Sequence, residues 1–519
     1  MISLSKLKTT AYEALQYLRV FDDIKEVEVF VACNGSLLTR LNYTSHIPSN
    51  GVEEPKSTES YGIGIQAVFQ TPEGIKIGFG SEPSNLSIEG VRNALEKARR
   101  GAVYDPEFKS LAKPSKNKRI LKGKYHDPRL MNLADEDLVE TGWRVFRSAL
   151  DTFTNSETLL LAAKSKEKIS SLGLILGGDV SILQERMAIG SYHFPRIQAD
   201  ESTLIMSFVT AMVERESSKG SGWSVGTHLK DFTGEAGAVA AKSAIDTIGG
   251  QRVKDGEYKI IFGRQPIVDL MTHIVLPCLT TESFYASASA FLGKFGSQMA
   301  SEKMTLYDHG ALPELTASKG ITCEGLPTGK TELIKNGVLV GLLSNYYETQ
   351  RLLADSHGKD KLGVEPRSVS AGIEPRNGFR FARGGGRHFD AQPGISATNL
   401  IVEGSDDLTL EELIQDVRDG LYIGRIWYTY PINGLRAGDF TCTVVGDSYL
   451  IKDGKISAPI KPNTIRIDDN IHNVLNNITG ISKDLKGTVV WAADEIVHTP
   501  ELAVSNVHVR EIATFMEQP

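Results

Sequence analysis

Cysteine is scarce in this chain: four residues in 519 (Cys33, Cys278, Cys323 and Cys442), scattered and with no CxxC pair. That spacing excludes a disulfide framework and makes buried free thiols in a reducing cytoplasm the expectation. Long apolar runs are missing as well, and none approaches the roughly 20 residues that a bilayer-spanning helix needs. The opening residues, MISLSKLKTTAYEAL, have neither an apolar h-region nor a small-residue cleavage site, so no signal peptide is expected. Positive charge is not in excess: Lys and Arg number 57 against 64 Asp and Glu, for a formal net charge of −7. No global basic field therefore draws the chain to nucleic acid or to an anionic membrane. There is no tandem repeat of fixed period, and low complexity is confined to Arg383-Gly384-Gly385-Gly386-Arg387.

The remaining composition is that of a globular protein, 41% hydrophobic and 23% charged, with enough chain for two or three domains. Leu7–Leu18 is an amphipathic helical run and Val27–Ala32 a β-prone one. Residues 46–60, rich in Pro, Ser, Glu and Asn, read as an exposed loop. Tyr61–Glu82 alternates on both sides of a Pro-Glu-Gly turn, a hairpin, and Leu86–Arg100 follows as a helix with Ser87 at its N-cap. Pro106–Pro128 is a Lys- and Pro-rich surface connection without the interleaved aromatics that stack on bases. Leu133–Phe153 and Lys230–Gly249 read as helices packed on a sheet drawn from 169–213. Ser217–Gly226 reads as a mobile loop, where Trp223 either meets a substrate or docks on the nearest apolar surface.

From Asp255 onward short β-prone runs dominate, with Asn336-Gly337 and Asp453-Gly454 as hairpin turns. They are interrupted by a helical segment at 265–300 and by a short helix, Leu410–Arg418, capped by Thr409. The expected fold class is α+β. An N-terminal α+β domain at 1–250 has an antiparallel sheet and helices, and a β-rich, barrel- or sandwich-like domain occupies 251–519.

Several blocks of the second half stand in a specific order. They are QMASEKMTLYDHG (ending at Gly310), EGLPTGKTELIKNGVLVGLLSNY (Glu324–Tyr346), PGISATNLIVEGS (Pro393–Ser405), GLYIGRI (420–426) and AGDFTCTVVGDSYLIKDGKISAPI (Ala437–Ile460). Together these resemble the TldD/PmbA family, also called the modulator of DNA gyrase family, and the resemblance extends weakly over nearly the whole chain. It implies an α+β N-terminal domain, a β-rich C-terminal domain and dimers. In the family a zinc-bearing TldD-type subunit pairs with a TldE/PmbA-type subunit that lacks the metal motif, and the pair cleaves unfolded or leader peptides in a closed chamber. Chains of the second type are usually shorter, and the excess here falls in 46–60 and 105–130.

In the catalytic members a helix carries HExxxH. An ungapped alignment on Ser289-Ala290-Phe291 puts Thr272 and Pro277 at the two histidines and His273 at the glutamate. Hydrolytic zinc needs about three protein ligands, a position for water and a carboxylate to take the water's proton. Pro277 cannot ligate a metal and ends or kinks a helix, and Glu282 is nine residues beyond His273. Residues five apart on a regular helix point about 140° from each other, so the HExxxH spacing implies a bulged or broken helix. The family's third ligand, a cysteine near the C-terminus, falls in Asp484–Pro500, which has none; Trp491 stands roughly in its place. His273 and Cys278 do not share a helical face.

The resemblance thus implies a TldE/PmbA-like subunit of a TldD/TldE-type metalloprotease complex, cytoplasmic, with no catalytic residue, no metal ligand and no cofactor of its own. Zinc is expected in the TldD-type partner. Peptide or unfolded protein is the expected substrate, without nucleic acid or membrane, and the dimer is with that partner or with itself. Two alternatives stand beside it: an active metallopeptidase with rearranged ligands such as His273, His309 and Glu324, or a homodimeric peptide-binding regulator. Nothing in the spacing of the 11 histidines singles out a Ser–His–acid set. The Gly384–Gly386 run is either a flexible connection or a backbone nest for an extended peptide. In the second case Gly385, Arg387 and His388 are the expected substrate contacts. Tyr422, Trp427, Tyr428 and Tyr430 form an aromatic cluster at strand spacing, read as core and interface.

Overall fold

The computed structural model describes residues 1–47, 50–114, 125–313, 315–381, 386–489 and 496–513. Its N-terminal half is organised on the strand Ile24–Thr44, whose stretch from Val27 to Cys33 is β-prone and buried throughout. This strand pairs antiparallel with Lys56–Thr71 on one side and Leu174–Ser191 on the other. The sheet runs in space as Gly74–Pro83, Lys56–Thr71, Ile24–Thr44, Leu174–Ser191, Gln198–Val213 and Ser218–Gly226, with every neighbouring pair antiparallel. Leu4–Leu18 and Ile88–Arg100 bury their apolar stripes against it, as do Asp135–Thr154 and Glu235–Asp246. Ser87 caps the second of these helices by accepting from the Gly90 N–H at 3.4 Å.

Two segments depart from the sequence expectation. Part of the loop expected at 46–60 is strand, because the hairpin arm begins at Lys56 and extends the ladder with Ile24–Thr44. The mobile loop expected at 217–226 is instead the edge strand Ser218–Gly226. Its glycines serve close approach, not flexibility. A Cβ on Gly222 would lie 2.1 Å from the Ala236 carbonyl oxygen, and one on Gly220 would lie 2.3 Å from that of Ala240. The helix Glu235–Asp246 can sit directly on the strand only where side chains are missing. Trp223 docks across to the second half, its indole N–H donating to Thr488 Oγ1 at 3.0 Å.

The second half carries a closed β-barrel. Gly256–Phe262 lies between Gly420–Pro431, to which it is parallel, and Leu502–Glu511, to which it is antiparallel. Ile465–Asn470 and Asp439–Lys452 continue the ring, and the last pairs back onto Gly420–Pro431. A second sheet has the order Val338–Leu339, Lys330–Lys335, Met304–His309, Asn399–Gly404, Ile496–Thr499 and Lys486–Thr488. One continuous core, including Ile260, Val275, Phe291, Leu306, Leu400 and Ile467, joins barrel, second sheet and the intervening helical segment. Asn336-Gly337 and Asp453-Gly454 all have positive φ, the signature of a type I′ hairpin turn. No helix among the described residues is long and apolar enough to cross a membrane. All four cysteines are buried and free.

Candidate functional site

The helical segment expected at 265–300 is broken into pieces. An α-helix, Arg264–Leu270, runs into a π turn at Met271–Val275, then a 3-10 turn at Leu276–Cys278 and a short helix at Thr281–Tyr285. A π turn closes i→i+5 bonds, so residues five apart come onto one face. Thr272 and Pro277 accordingly line the same cavity of about 460 Å³, with Thr280, Glu282, Leu343 and Ile395–Ala397 among its other walls. Pro277 falls within the 3-10 turn, where its missing N–H ends the regular ladder. His273, between them in sequence, faces elsewhere: its side chain is 42% exposed and its Nδ1 lies 2.9 Å from the Asp269 carbonyl oxygen.

The donor set does not fit a hydrolytic zinc. Among the described residues Thr272 Oγ1 is buried without a partner, Pro277 has no donor atom, and Glu282 is the one ionisable side chain lining the cavity. Among the described residues no three His, Cys, Asp or Glu side chains converge as metal ligands do, so His273, His309 and Glu324 are not brought together. Trp491 lies outside the described residues.

A strand edge opens into this cavity. Gly394–Ile395 pairs antiparallel with Gly378–Phe379, and the Ser396 N–H donates to the Asn377 carbonyl at 3.0 Å. In such a ladder bonded and non-bonded pairs alternate, so Ile395 occupies a non-bonded position and turns its own N–H and C=O away from Gly378. Those two groups find no partner among the described residues, and the residue is half-buried at the cavity wall.

The same strand leads into a second cavity of about 430 Å³, walled by Ile77, Phe79, Val103, Phe108 and Leu111 of the first half and by Glu324 and Asn345–Glu348 of the second; Glu282 lines both cavities. Glu324 is a strongly perturbed carboxyl of this cavity. Burial pushes it up to about 8, only partly offset by the Tyr346 N–H, which donates to both its oxygens at 3.0 Å. The backbone passes so close that a Cβ on Gly378 would sit 2.1 Å from Glu324 Oε2. Burial raises Glu348 as well, against the pull of Arg351. Phe108, Ser110, Leu111 and Ala112 of the Lys- and Pro-rich connection form part of the wall of this cavity. Asp105 accepts from the Tyr347 hydroxyl at 3.0 Å, and Glu107 accepts from the Tyr285 hydroxyl and pairs with Arg351.

Of the contacts expected from sequence, Gly385 lies outside the described residues. Arg387 is wholly buried: it pairs with Asp200 at 2.7 Å and Glu185 at 3.4 Å, while its carbonyl accepts from Asn34 Nδ2 at 2.8 Å. A guanidinium so committed is a tie between the two halves and not a contact in an open groove. Lys319 reaches the same Glu185. Burial alone would raise that carboxyl, but Lys319 and Arg387 outweigh it and hold it at about 2. His388 is mostly buried, its Nδ1 3.8 Å from Asp390. Tyr428 and Tyr430 are 66% and 54% exposed at a bulge of the barrel strand, and Tyr422 packs near Tyr449. Gly222-Trp223-Ser224-Val225-Gly226 has the GxSxG form of a nucleophile elbow. It lies in an edge strand with Ser224 opposite Ser207, not in the strand–turn–helix bend such an elbow requires.

An antiparallel N-terminal sheet and a second half that carries a closed barrel, with a cavity walled by residues of both halves, make up the described architecture. Residues 255–511 match the model of the PmbA/TldA metallopeptidase C-terminal domain, so the second half of the chain is a domain of the PmbA/TldD family. It is 25% identical over 402 residues to an uncharacterised protein of Methanocaldococcus jannaschii, covering 78% of this chain and 80% of that one. To a metalloprotease TldD homolog of Buchnera aphidicola subsp. Schizaphis graminum it is 24% identical over 447 residues, 82% and 80% of the two chains. In fold it is similar to the crystal structure of TldE from Thermococcus kodakarensis, with a TM-score of 0.75 at 18% identity, covering 97% of this chain and 100% of that one.

Proposed function

We propose that this chain is a TldE/PmbA-like, non-catalytic subunit that holds an extended peptide for a metal-bearing TldD-type partner in a cytoplasmic peptidase complex. The observation that carries the reading is the π turn at Met271–Val275. It presents Thr272 and Pro277 to one cavity, at the spacing HExxxH would use, and neither residue can serve there as a zinc-ligating histidine does. Beside it the open polar groups of Ile395 suit strand addition, in which a peptide's backbone completes the ladder and its side chains alternate between cavity and opening. We place the boundary between the two parts near residue 250, and offer exposed Tyr428, Tyr430 and Ile432 as contact surface for the partner subunit.

Strand addition is tested with N-methylated peptides. An N-acetylated alanine-rich hexapeptide should bind the full chain, and N-methylation at the residue facing Ile395 should abolish binding while methylation of the next residue leaves it intact. Equal tolerance of methylation at every position would overturn the groove. The subunit role is tested by co-purification with a TldD-type protein from the same cell extract and by a cleavage assay with and without it.

A further inference from the structure

The second cavity has a composition that a groove for bare peptide backbone does not require. Among the described residues its lining carries five carboxyl side chains (Glu28, Asp105, Glu282, Glu324 and Glu348) and no Lys, Arg or His. Three are accounted for within the fold: Glu28 pairs with Arg380, Asp105 accepts from the Tyr347 hydroxyl, and Glu324 accepts from the Tyr346 N–H on both oxygens. Glu348 is only half accounted for. It is 7% exposed, Oε1 takes Arg351 at 3.1 Å, and Oε2 is buried without a hydrogen-bond partner among the described residues. A buried carboxylate oxygen left unpaired is costly unless something donates to it. Glu282 is exposed, with no hydrogen bond or ion pair to its side chain among the described residues, and its charge acts on Glu348. The lining also includes the apolar side chains Ile77, Phe79, Val103, Phe108 and Leu111.

We propose that this cavity is a subsite for one basic side chain, arginine or lysine, of the peptide held on the Ile395 edge. The aliphatic stem of such a residue lies along the apolar side chains of the lining while its head reaches Glu348 and Glu282. A backbone α-ammonium has no stem to cover them, so the side chain is the occupant. The inference rests on the strand-addition reading, because Pro393-Gly394 brings the peptide's path from the Ile395 edge to this cavity and Glu282 stands at the junction.

The test uses three N-acetylated alanine-rich hexapeptides on the full chain, carrying at one position arginine, lysine or citrulline, the last being the neutral counterpart of arginine. A fourth, neutral peptide has a free α-amine. The arginine and lysine peptides should bind about tenfold or more tightly than the citrulline one, the return expected for a charge-assisted pair. Glu348→Gln should collapse that ratio, and Glu282→Gln, at an exposed site that does not threaten folding, should reduce it. Equal binding of arginine and citrulline peptides would overturn the subsite while leaving the groove standing. A ratio unchanged in both variants would overturn it too, as would an equal gain from the free α-amine alone. If none of the four binds, the groove fails and the subsite with it.

Discussion

Glu324→Gln separates the electrostatics of the cleft from its shape. The native carboxyl titrates at about 8, against 4.5 for an ordinary glutamate, because burial disfavours its charge. Between those two values the folded chain holds a proton that the unfolded chain has lost, so stability falls as pH rises through this window. Below 4.5 the penalty is absent, and above about 8 it is complete. At about 1.4 kcal/mol per pH unit it approaches roughly 5 kcal/mol. With an unfolding entropy of about 2.1 cal/mol/K per residue, that corresponds to roughly 5 °C in Tm for a chain of this length. Glutamine keeps an acceptor for the Tyr346 N–H but cannot ionise. Melting both proteins from pH 4.5 to 9 cancels the other titrating groups in the difference. The variant should gain on the wild type steadily with pH and level off above about 8. Parallel curves across the window would refute the placement of Glu324 in a dry wall.

Other outcomes follow from the same structure. Gly222→Val should destabilise by about 3 kcal/mol in urea denaturation, since a Cβ 2.1 Å from the Ala236 carbonyl forces the helix off the strand; a loss under ~0.5 kcal/mol would restore the loop reading. Arg387→Ala should cost about 3–5 kcal/mol by leaving Glu185 and Asp200 buried without it, whereas an exposed substrate contact would cost almost nothing. The double variant Thr272→His with Pro277→His should bind Ni²⁺ at least about tenfold more tightly than either single variant, because the π turn puts both imidazoles on one face. Additive weak binding, read by calorimetry, would show the two positions to be divergent.

Much of the architecture could be read before the structure. The β-rich second half, its hairpin turns at Asn336-Gly337 and Asp453-Gly454 and the helix caps at Ser87 and Thr409 are local signals, and local chemistry decides them. Where sequence misled, the decisive contact was distant. The glycines at 220 and 222 suggested mobility because the helix they accommodate begins some dozen residues later. Arg387 suggested a ligand contact because its partners, Glu185 and Asp200, come from the other half of the chain. The broken helix was legible only through the five-residue spacing of a motif, and the π turn is its physical form. Glu348 carried no signal at all, since a glutamate in the first turn of a helix usually faces water and favours the helix dipole. The open edge at Ile395 depends on ladder register, which two residues of strand cannot announce.

The most direct test of the central claim is zinc content measured together with peptide cleavage and binding on the chain purified alone. After loading with zinc and exhaustive dialysis it should hold far less than one zinc per chain, cleave nothing, and still bind the N-acetylated hexapeptide in EDTA. One tightly held zinc per chain, with cleavage that EDTA abolishes, would contradict the account.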